Sequence, residues 1–200
     1  MKNMLRLSFL MLFLVSVSLV MAQRQQVKCG KWRTDVKTLT DAGGVALLTQ
    51  TPTIATLDEL GAVIPPKILH ANNAADGKVE RYPTESKVIE MTVMITAIKL
   101  NNDDGDLHFS MKSVDSDKTM VGEIPNPACN VFEKFPDLRQ QFTSSRIQGK
   151  VVWDMLKKSK KPVKVKITGI PFWDGYDENR PKGVSEYFRE IHPILKIEVL

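Results

Sequence analysis

The strongest constraint on the fold is an ordered series of strand patterns that begins at Lys87. Residues 87–100 are rich in Val, Ile, Met and Thr and contain neither Gly nor Pro, which is typical of a long buried strand. A polar turn with Gly105 follows, and residues 107–112 then alternate between apolar and polar side chains. A second Asp-rich turn leads to another strand pattern over 119–124. These patterns predict a three-stranded antiparallel meander.

The second half of the series is a helix followed by two more strands. Residues 132–158 have the apolar spacing of a helix, with Gly149 expected to break it. Residues 163–168 alternate strictly between apolar and polar side chains, and residues 191–200 form a last strand pattern. The Pro- and Gly-containing segment 171–183 between them is predicted to be a long loop.

Three strands, one helix and two further strands are the element order of an OB-fold, a five-stranded Greek-key barrel. The helix between strands three and four would then close one end of the barrel. A plain α+β sheet covered by one helix has the same element order and is the alternative. Because the first strand is long enough to bend and serve two sheets, we predict a mainly β (α+β), OB-fold-like barrel with an irregular N-terminal arm.

The residues before the barrel divide into a signal and an arm. Residues 1–22 have a basic start and an apolar centre, and they end in the small-x-small pattern of a signal peptidase site. The apolar stretch is short for a membrane-spanning helix. We therefore expect a cleaved signal peptide over 1–22, an arm packed on the barrel over 23–86, and the barrel domain over 87–200. The mature protein would be secreted or periplasmic, without a membrane anchor.

Two local structures are predicted within the arm. Residues 36–40 are expected to form a short strand that ends at the Gly-containing turn of 41–44. Thr56 and Glu59 have the spacing of a capping box. The helix that they begin must be short, because Gly and Pro residues follow closely.

Cys29 and Cys129 are the two cysteines of the chain. An even number of cysteines in an exported protein favours a disulfide. A catalytic or metal-binding thiol is the alternative, but neither cysteine belongs to a C-x-x-C motif or has a histidine nearby in sequence. We expect a structural disulfide that ties the arm to a later loop.

The net charge argues against a general nucleic-acid-binding protein. The signal carries two basic and no acidic residues, so its removal lowers the formal charge from +5 to about +3. The dense basic run consists of Lys157, Lys158, Lys160 and Lys161. A solvated helix end explains this run, since positive charge is favourable there. A stripe that faces phosphate groups is the alternative, and nucleic acid is a partner only through that run.

Several segments resemble one family of exported bacterial single-domain proteins. The segments are W-R-x-x-V-K-T-L-T-D in the arm, D-G-D-L-H at the second strand, E-I-P-N-P-A-C after the third, and E-I-H-P in the last. The resemblance covers most of the mature chain and implies no particular activity. In that family the loop after the fourth strand is Gly-rich and aromatic. Here Trp173-Asp174-Gly175-Tyr176-Asp177 departs from that form.

Four titratable residues are candidates for catalysis: His108, His192, Glu190 and Asp106. Strand alternation directs both histidines away from the barrel interior. In an ideal OB barrel the third and fifth strands run parallel, which places the start of the second strand and the start of the fifth at opposite ends. We therefore expect no joint metal site and no cofactor.

The ligand contacts expected from the fold are different residues. OB-folds bind ligands on the outer faces of their second and third strands and on adjacent loops. We expect His108, Lys112 and Trp173 to contact a ligand there, which would be a small molecule, a glycan or a protein. Arg33 and Lys37 of the arm would bind an anion, or would pair with acids to hold the arm on the barrel.

The sequence favours an exported, non-enzymatic ligand-binding or accessory domain. One alternative is a secreted metal-assisted hydrolase of the phosphodiesterase or nuclease type, and another is a structural envelope component. The motifs G-x-S-x-G, H-E-x-x-H and the phosphate-binding P-loop are absent from the sequence. Convergence of His108, His192 and two carboxylates within about 5 Å would favour the hydrolase.

Overall fold

The fold is a closed β-barrel that carries one long helix and one short extra strand. The computed structural model describes residues 29–30, 32–64, 80–174 and 189–200, so the predicted signal peptide lies outside the described residues. The strands are β1 Thr53–Ile54, β2 Ile89–Leu100, β3 Leu107–Ser113, β4 Thr119–Ile124, β5 Val163–Trp173 and β6 Arg189–Val199. The α-helices are α1 Thr34–Lys37, α2 Leu57–Gly61 and α3 Pro136–Ser159. Short 3₁₀ turns span Val45–Thr49, Pro83–Glu85 and Asn130–Glu133.

The strand pairing closes the barrel and confirms the predicted OB-fold-like architecture. β2, β3 and β4 form the antiparallel meander, and β4 pairs in parallel with β6. β6 pairs with β5, and β5 returns to β2. β2 joins both halves, because residues 89–95 pair with β5 and residues 93–100 pair with β3 across a bulge. β1 adds a parallel two-residue strand to β2.

α3 covers the barrel between β4 and β5, as the element order predicted. Its residues Leu138, Phe142 and Val152 are buried in the same core as Phe109 of β3. The expected break at Gly149 is wrong, because the helix continues through this residue. A Cβ at Gly149 would lie 2.8 Å from the ring of Phe109. The glycine therefore allows close packing of α3 on β3, and tertiary packing offsets its low helix propensity.

The arm differs from its prediction at residues 36–40. Thr34–Lys37 is the helix α1, and Thr38 donates a hydrogen bond from Oγ1 to the carbonyl of Thr34. Val36 and Leu39 are both buried, and this spacing of three belongs to a helical turn. The strand prediction is therefore wrong, because the spacing of the buried residues outweighs the β-branched composition of 36–40.

Two other predictions in the arm are confirmed. Thr56 caps α2, with its Oγ1 accepting from the backbone N–H of Glu59 and its own N–H donating to the Glu59 carboxylate. Cys29 and Cys129 form a disulfide with Cα atoms 5.6 Å apart. The disulfide links the start of the described arm to the segment that follows β4. Among the described residues, no helix has the length and apolar character needed to cross a membrane.

Gly169 provides a test of the close approach between β5 and β6. An added Cβ there would lie 2.8 Å from the Pro193 carbonyl oxygen and would also overlap Ile191. Because a backbone atom of the neighbouring strand cannot move away easily, we expect Gly169→Ala to lower the free energy of unfolding by about 1–3 kcal/mol in urea denaturation. Gly61→Ala is the matched control, since its Cβ would meet no atom of the described residues within 4 Å. Equal losses in the two variants would contradict this explanation.

The disulfide provides a second test. We expect mature protein, denatured without reductant, to contain no thiol that reacts with a labelling reagent. The double variant Cys29→Ser/Cys129→Ser should lose up to about 4–5 kcal/mol of stability, because the bridge closes a loop of about 100 residues in the unfolded chain. Complete labelling of Cys29 in the exported protein would show that the bridge does not form.

Candidate functional site

Acidic and histidine side chains gather on the outer face of the barrel, where β3, β4 and β6 meet. His108 alternates along β3 with the core residues Leu107 and Phe109, so its side chain lies on the opposite face. We call the group the outer-face cluster. Its members are Asp104, Asp106, Glu123, Asp174, Glu190, His108, His192 and Lys37.

Strand register brings the two histidines to one carboxylate. In the β3–β4 hairpin His108 pairs with Glu123, and His108 Nδ1 lies 2.8 Å from Glu123 Oε1. β6 runs parallel to β4 with Val121 opposite Glu190, which brings His192 beside the end of β4. His192 Nδ1 then lies 3.2 Å from Glu123 Oε2.

The expectation that the two histidines lie at opposite ends of the barrel is therefore wrong. β4 has six residues and β6 has eleven, and the parallel register joins the middle of β4 to the beginning of β6. The direction of the strands was predicted correctly, but their offset was not. This offset determines which residues of β4 and β6 lie side by side.

His192 is the centre of the cluster. Its side chain is 0% exposed, and its Nε2 lies 3.4 Å from Asp106 Oδ2. Its Nδ1 lies 3.9 Å from Glu190 Oε2, in addition to the contact with Glu123. Within the part of the chain that the structure describes, neither ring nitrogen has an aligned hydrogen-bond partner. All four residues predicted as catalytic candidates thus lie in one cluster.

The turn between β2 and β3 positions Asp106. Its N–H donates to Asp104 Oδ1, its Oδ1 accepts from the Asn126 N–H at 2.8 Å, and Gly105 takes a positive φ of 76°. Arg146 of α3 donates to the Gly105 carbonyl at 2.7 Å. Because Asp106 Oδ1 is held in this way, Oδ2 is left facing His192.

Lys37 connects the arm to the cluster. Its Nζ donates to Asp174 Oδ1 at 2.8 Å and lies 5.1 Å from the centre of the Phe172 ring. Burial alone would lower the pKa of Lys37, but Asp174, Glu190 and Glu123 raise it well above its ordinary value. Lys37 is therefore a permanent internal cation of the cluster.

The cluster carries more negative than permanent positive charge. Its five carboxyl groups outnumber the positive groups that face them, which are Lys37, Arg146 of α3 beside Asp104 and Asp106 and, when protonated, His192. Burial, followed by the charge of Asp174, raises the pKa of Glu190 to about 7, and burial and Asp106 raise that of Asp104. Burial also opposes ionisation of Glu123, but His108 and His192 hold its pKa well below the ordinary value. Burial would lower the pKa of His192, but the carboxylates of Asp106, Glu123 and Glu190 raise it.

One donor atom each from Asp106, Glu123 and His192 lies within 4.8 Å of the other two. Carboxylate oxygen and imidazole nitrogen are common ligands of divalent metals. Glu123 was missed as a site residue because it lies between Gly122 and Ile124 in an otherwise apolar strand. The sequence signal for Glu123 is an acidic residue inside an apolar strand. The register of the β3–β4 hairpin places this residue opposite His108.

The other predicted ligand residues lie elsewhere or have partners. Arg33 is buried and forms two hydrogen bonds with Glu85, which anchors the arm. Trp173 belongs to β5 and is buried. The Arg189 guanidinium lies 4.2 Å from the centre of its ring. The predicted loop start at Pro171 is therefore wrong, because β5 continues to Trp173, and the predicted loop residues from 175 lie outside the described residues. Lys112 is 42% exposed and pairs with Asp117.

The basic run lies at the C-terminal end of α3 and beyond it. Lys157 and Lys158 are exposed in the last turn of the helix. Lys157 packs its ammonium 4.5 Å from the centre of the Trp153 ring. These contacts fit a solvated helix end, and no described contact joins the run to the outer-face cluster.

The sequence matches no protein-family model and no curated protein. The structure defines the class of this protein as an OB-fold-like barrel domain. The candidate site is inferred from the positions of its own side chains.

Glu190 predicts a pH dependence of stability. Its pKa rises from 4.5 to about 7 in the folded state, where Asp174, Glu123, His192 and Lys37 face it. A carboxyl group with a raised pKa stabilises the fold when protonated, so its contribution is complete below pH 4.5 and is lost as the pH rises through about 7. His192, whose pKa is also raised, acts in the same direction.

We therefore expect the thermal midpoint of chelator-treated protein to fall as the pH rises from about 5 to about 8, and to fall less steeply in Glu190→Gln. Glu198→Gln is the control, because Glu198 lies on β6 and pairs with Lys166 and Lys196 outside the cluster. Parallel pH profiles for wild type and Glu190→Gln would be inconsistent with the assignment.

Proposed function

We propose that this protein is an exported binding domain and that its ligand is a cation held in the outer-face cluster. The observation that carries the proposal is the gathering of five carboxyl groups around two buried or part-buried permanent cations. The cluster lies where OB-folds bind ligands, on the second and third barrel strands and the loop between the first and second. The proposed ligand site is therefore the outer-face cluster, which includes His108 but neither Lys112 nor Trp173.

The charge balance supports a cationic ligand. Burying a carboxylate costs free energy unless a cation or hydrogen-bond donors accompany it. Lys37 is shared between Asp174, Glu190 and Glu123, and it offsets one charge. The raised pKa of Glu190 follows from the remaining negative charge as well as from burial. A bound cation would allow these acids to remain ionised at neutral pH.

The export part of the proposal rests on the signal pattern and on the cysteines. Residues 1–22 have the composition of a cleaved signal. Disulfides persist mainly in oxidising compartments, and Cys29 and Cys129 are paired. Together they support a periplasmic or secreted location for the mature protein.

A metal-assisted hydrolase is the second candidate. The convergence of His108, His192, Asp106 and Glu123 favours it, because metal-assisted hydrolysis needs such donors near one point. It also needs access for a substrate, and the side chains of His108 and Asp174 are only 16% and 25% exposed. Incubation with Mn²⁺ or Zn²⁺ and single-stranded DNA or RNA tests this candidate, with His108→Ala for comparison. Absence of cleavage by wild type would count against the hydrolase.

The binding function is tested with a panel of small cations. Calorimetric titration of mature protein with spermidine, argininamide, Ca²⁺, Mn²⁺ and Zn²⁺ should reveal binding of at least one cation. We expect Asp106→Asn/Glu123→Gln to weaken that binding at least about tenfold, since each change removes a charged ligand atom. Glu198→Gln removes a charge outside the cluster and should bind as wild type does.

The proposal fails if no cation of the panel binds, or if the double variant binds as tightly as wild type. Far-UV circular dichroism of the double variant checks that the fold is retained.

A further inference from the structure

We infer that the cation is a divalent transition-metal ion, coordinated by Asp106, Glu123 and His192. The inference deepens the proposed function and rests on it. Three observations carry it: the ring nitrogens of His192, the free oxygens of the two acids, and the spacing of the donor atoms.

The first observation is the unsatisfied imidazole. His192 is fully buried, and neither Nδ1 nor Nε2 has an aligned hydrogen-bond partner in the described structure. Buried polar groups normally have partners, and each exception requires an explanation. Both nitrogens lie beside carboxylate oxygens, with Asp106 on the Nε2 edge and Glu123 on the Nδ1 edge. A metal bound by Nε2 would satisfy that nitrogen and leave Nδ1 to donate its N–H to a carboxylate outside the ligand set, for which Glu190 Oε2 lies 3.9 Å away.

The second observation is that the two oxygens of each carboxylate have different contacts. One oxygen of each carboxylate is already held, by the Asn126 N–H for Asp106 and by His108 Nδ1 for Glu123. The other oxygen of each faces His192. Outer hydrogen bonds of this kind orient ligands before the metal binds. His108 is thus a positioning residue, acting on the metal through Glu123.

The third observation is the spacing. One donor atom from each of the three residues lies within 4.8 Å of the others, and Asp106 Oδ2 lies 3.4 Å from His192 Nε2. Ligand bonds of about 2.0–2.2 Å place neighbouring ligands about 3–3.5 Å apart in a tetrahedral site. Glu123 Oε2 now lies beside Nδ1, so rotation of the Glu123 side chain toward Nε2 would complete the site.

The donor set indicates the kind of metal. An imidazole nitrogen favours Zn²⁺ and neighbouring transition ions, whereas Ca²⁺ and Mg²⁺ prefer all-oxygen sites. His nitrogen and Asp or Glu oxygen are both ligands of Zn²⁺ in proteins. We therefore expect Zn²⁺ to bind more tightly than Ca²⁺.

Chelator-stripped mature protein is titrated with Zn²⁺, Mn²⁺ and Ca²⁺, and Co²⁺ is used as a spectroscopic probe. We expect one Zn²⁺ per chain, with an affinity at least about tenfold higher than for Ca²⁺. The Co²⁺ complex should show visible absorption bands that report nitrogen and oxygen ligation. His192→Gln should abolish these bands, and His108→Gln should weaken Zn²⁺ binding about 10–100-fold while retaining them. Glu198→Gln should match wild type.

The outcomes separate this inference from the proposed function. If spermidine or argininamide binds and no metal does, the metal assignment is wrong and the cation-binding function stands. If nothing binds, both fail, and His192 is a buried imidazolium paired with the acids. If Zn²⁺ binds equally well to wild type and Asp106→Asn, the ion lies elsewhere and the inference is wrong. Asp106→Asn also serves if His192→Gln does not fold, because the amide oxygen of Asn can still accept from the Asn126 N–H that Asp106 Oδ1 holds.

Discussion

The parallel pairing of β4 with β6 is the interaction on which the rest of the structure depends. It closes the barrel, because β6 then returns through β5 to β2. The same few backbone hydrogen bonds place Glu190 opposite Val121 and thereby position His192 beside Glu123. Side chains of one strand alternate between faces, so a shift of one residue would exchange the inner and outer sets. Barrel closure and the outer-face cluster therefore follow from one register.

The arm is held to this barrel by a buried ion pair and a disulfide. Glu85 accepts hydrogen bonds from the Arg33 guanidinium and from the backbone N–H of Trp173, so one carboxylate joins the arm to β5. Loss of one partner of such a pair leaves an uncompensated buried charge, which typically costs about 3–5 kcal/mol. With Cys29 bound to Cys129, this contact holds α1 in place and Lys37 over the cluster. The anchoring role of Arg33 thus explains why its charge is not available for a ligand.

Local patterns in the sequence were sufficient to predict most of the helices and strands. The meander, the long helix and the capping box at Thr56 depend on residues close in sequence, and the structure confirms them. The errors at residues 36–40 and at Gly149 arose where packing of distant segments outweighs local propensity. Asp106, Glu190 and both histidines could be named as candidates from residue type. Glu123, which joins them, could not be recognised without the strand register.

By itself, the sequence determined the order of the elements, the class of barrel and the disulfide partners, because each is set by alternation, spacing or residue count. Only the tertiary structure decided the site. His192 and Asp106 are 86 positions apart in sequence, and nothing in the local pattern of either one specifies the other. Their approach depends on the offset between two parallel strands of different length, a quantity that backbone pairing sets in three dimensions. The same strand pairing, together with the arm packed over it, buries these charged groups and thereby shifts their pKa values.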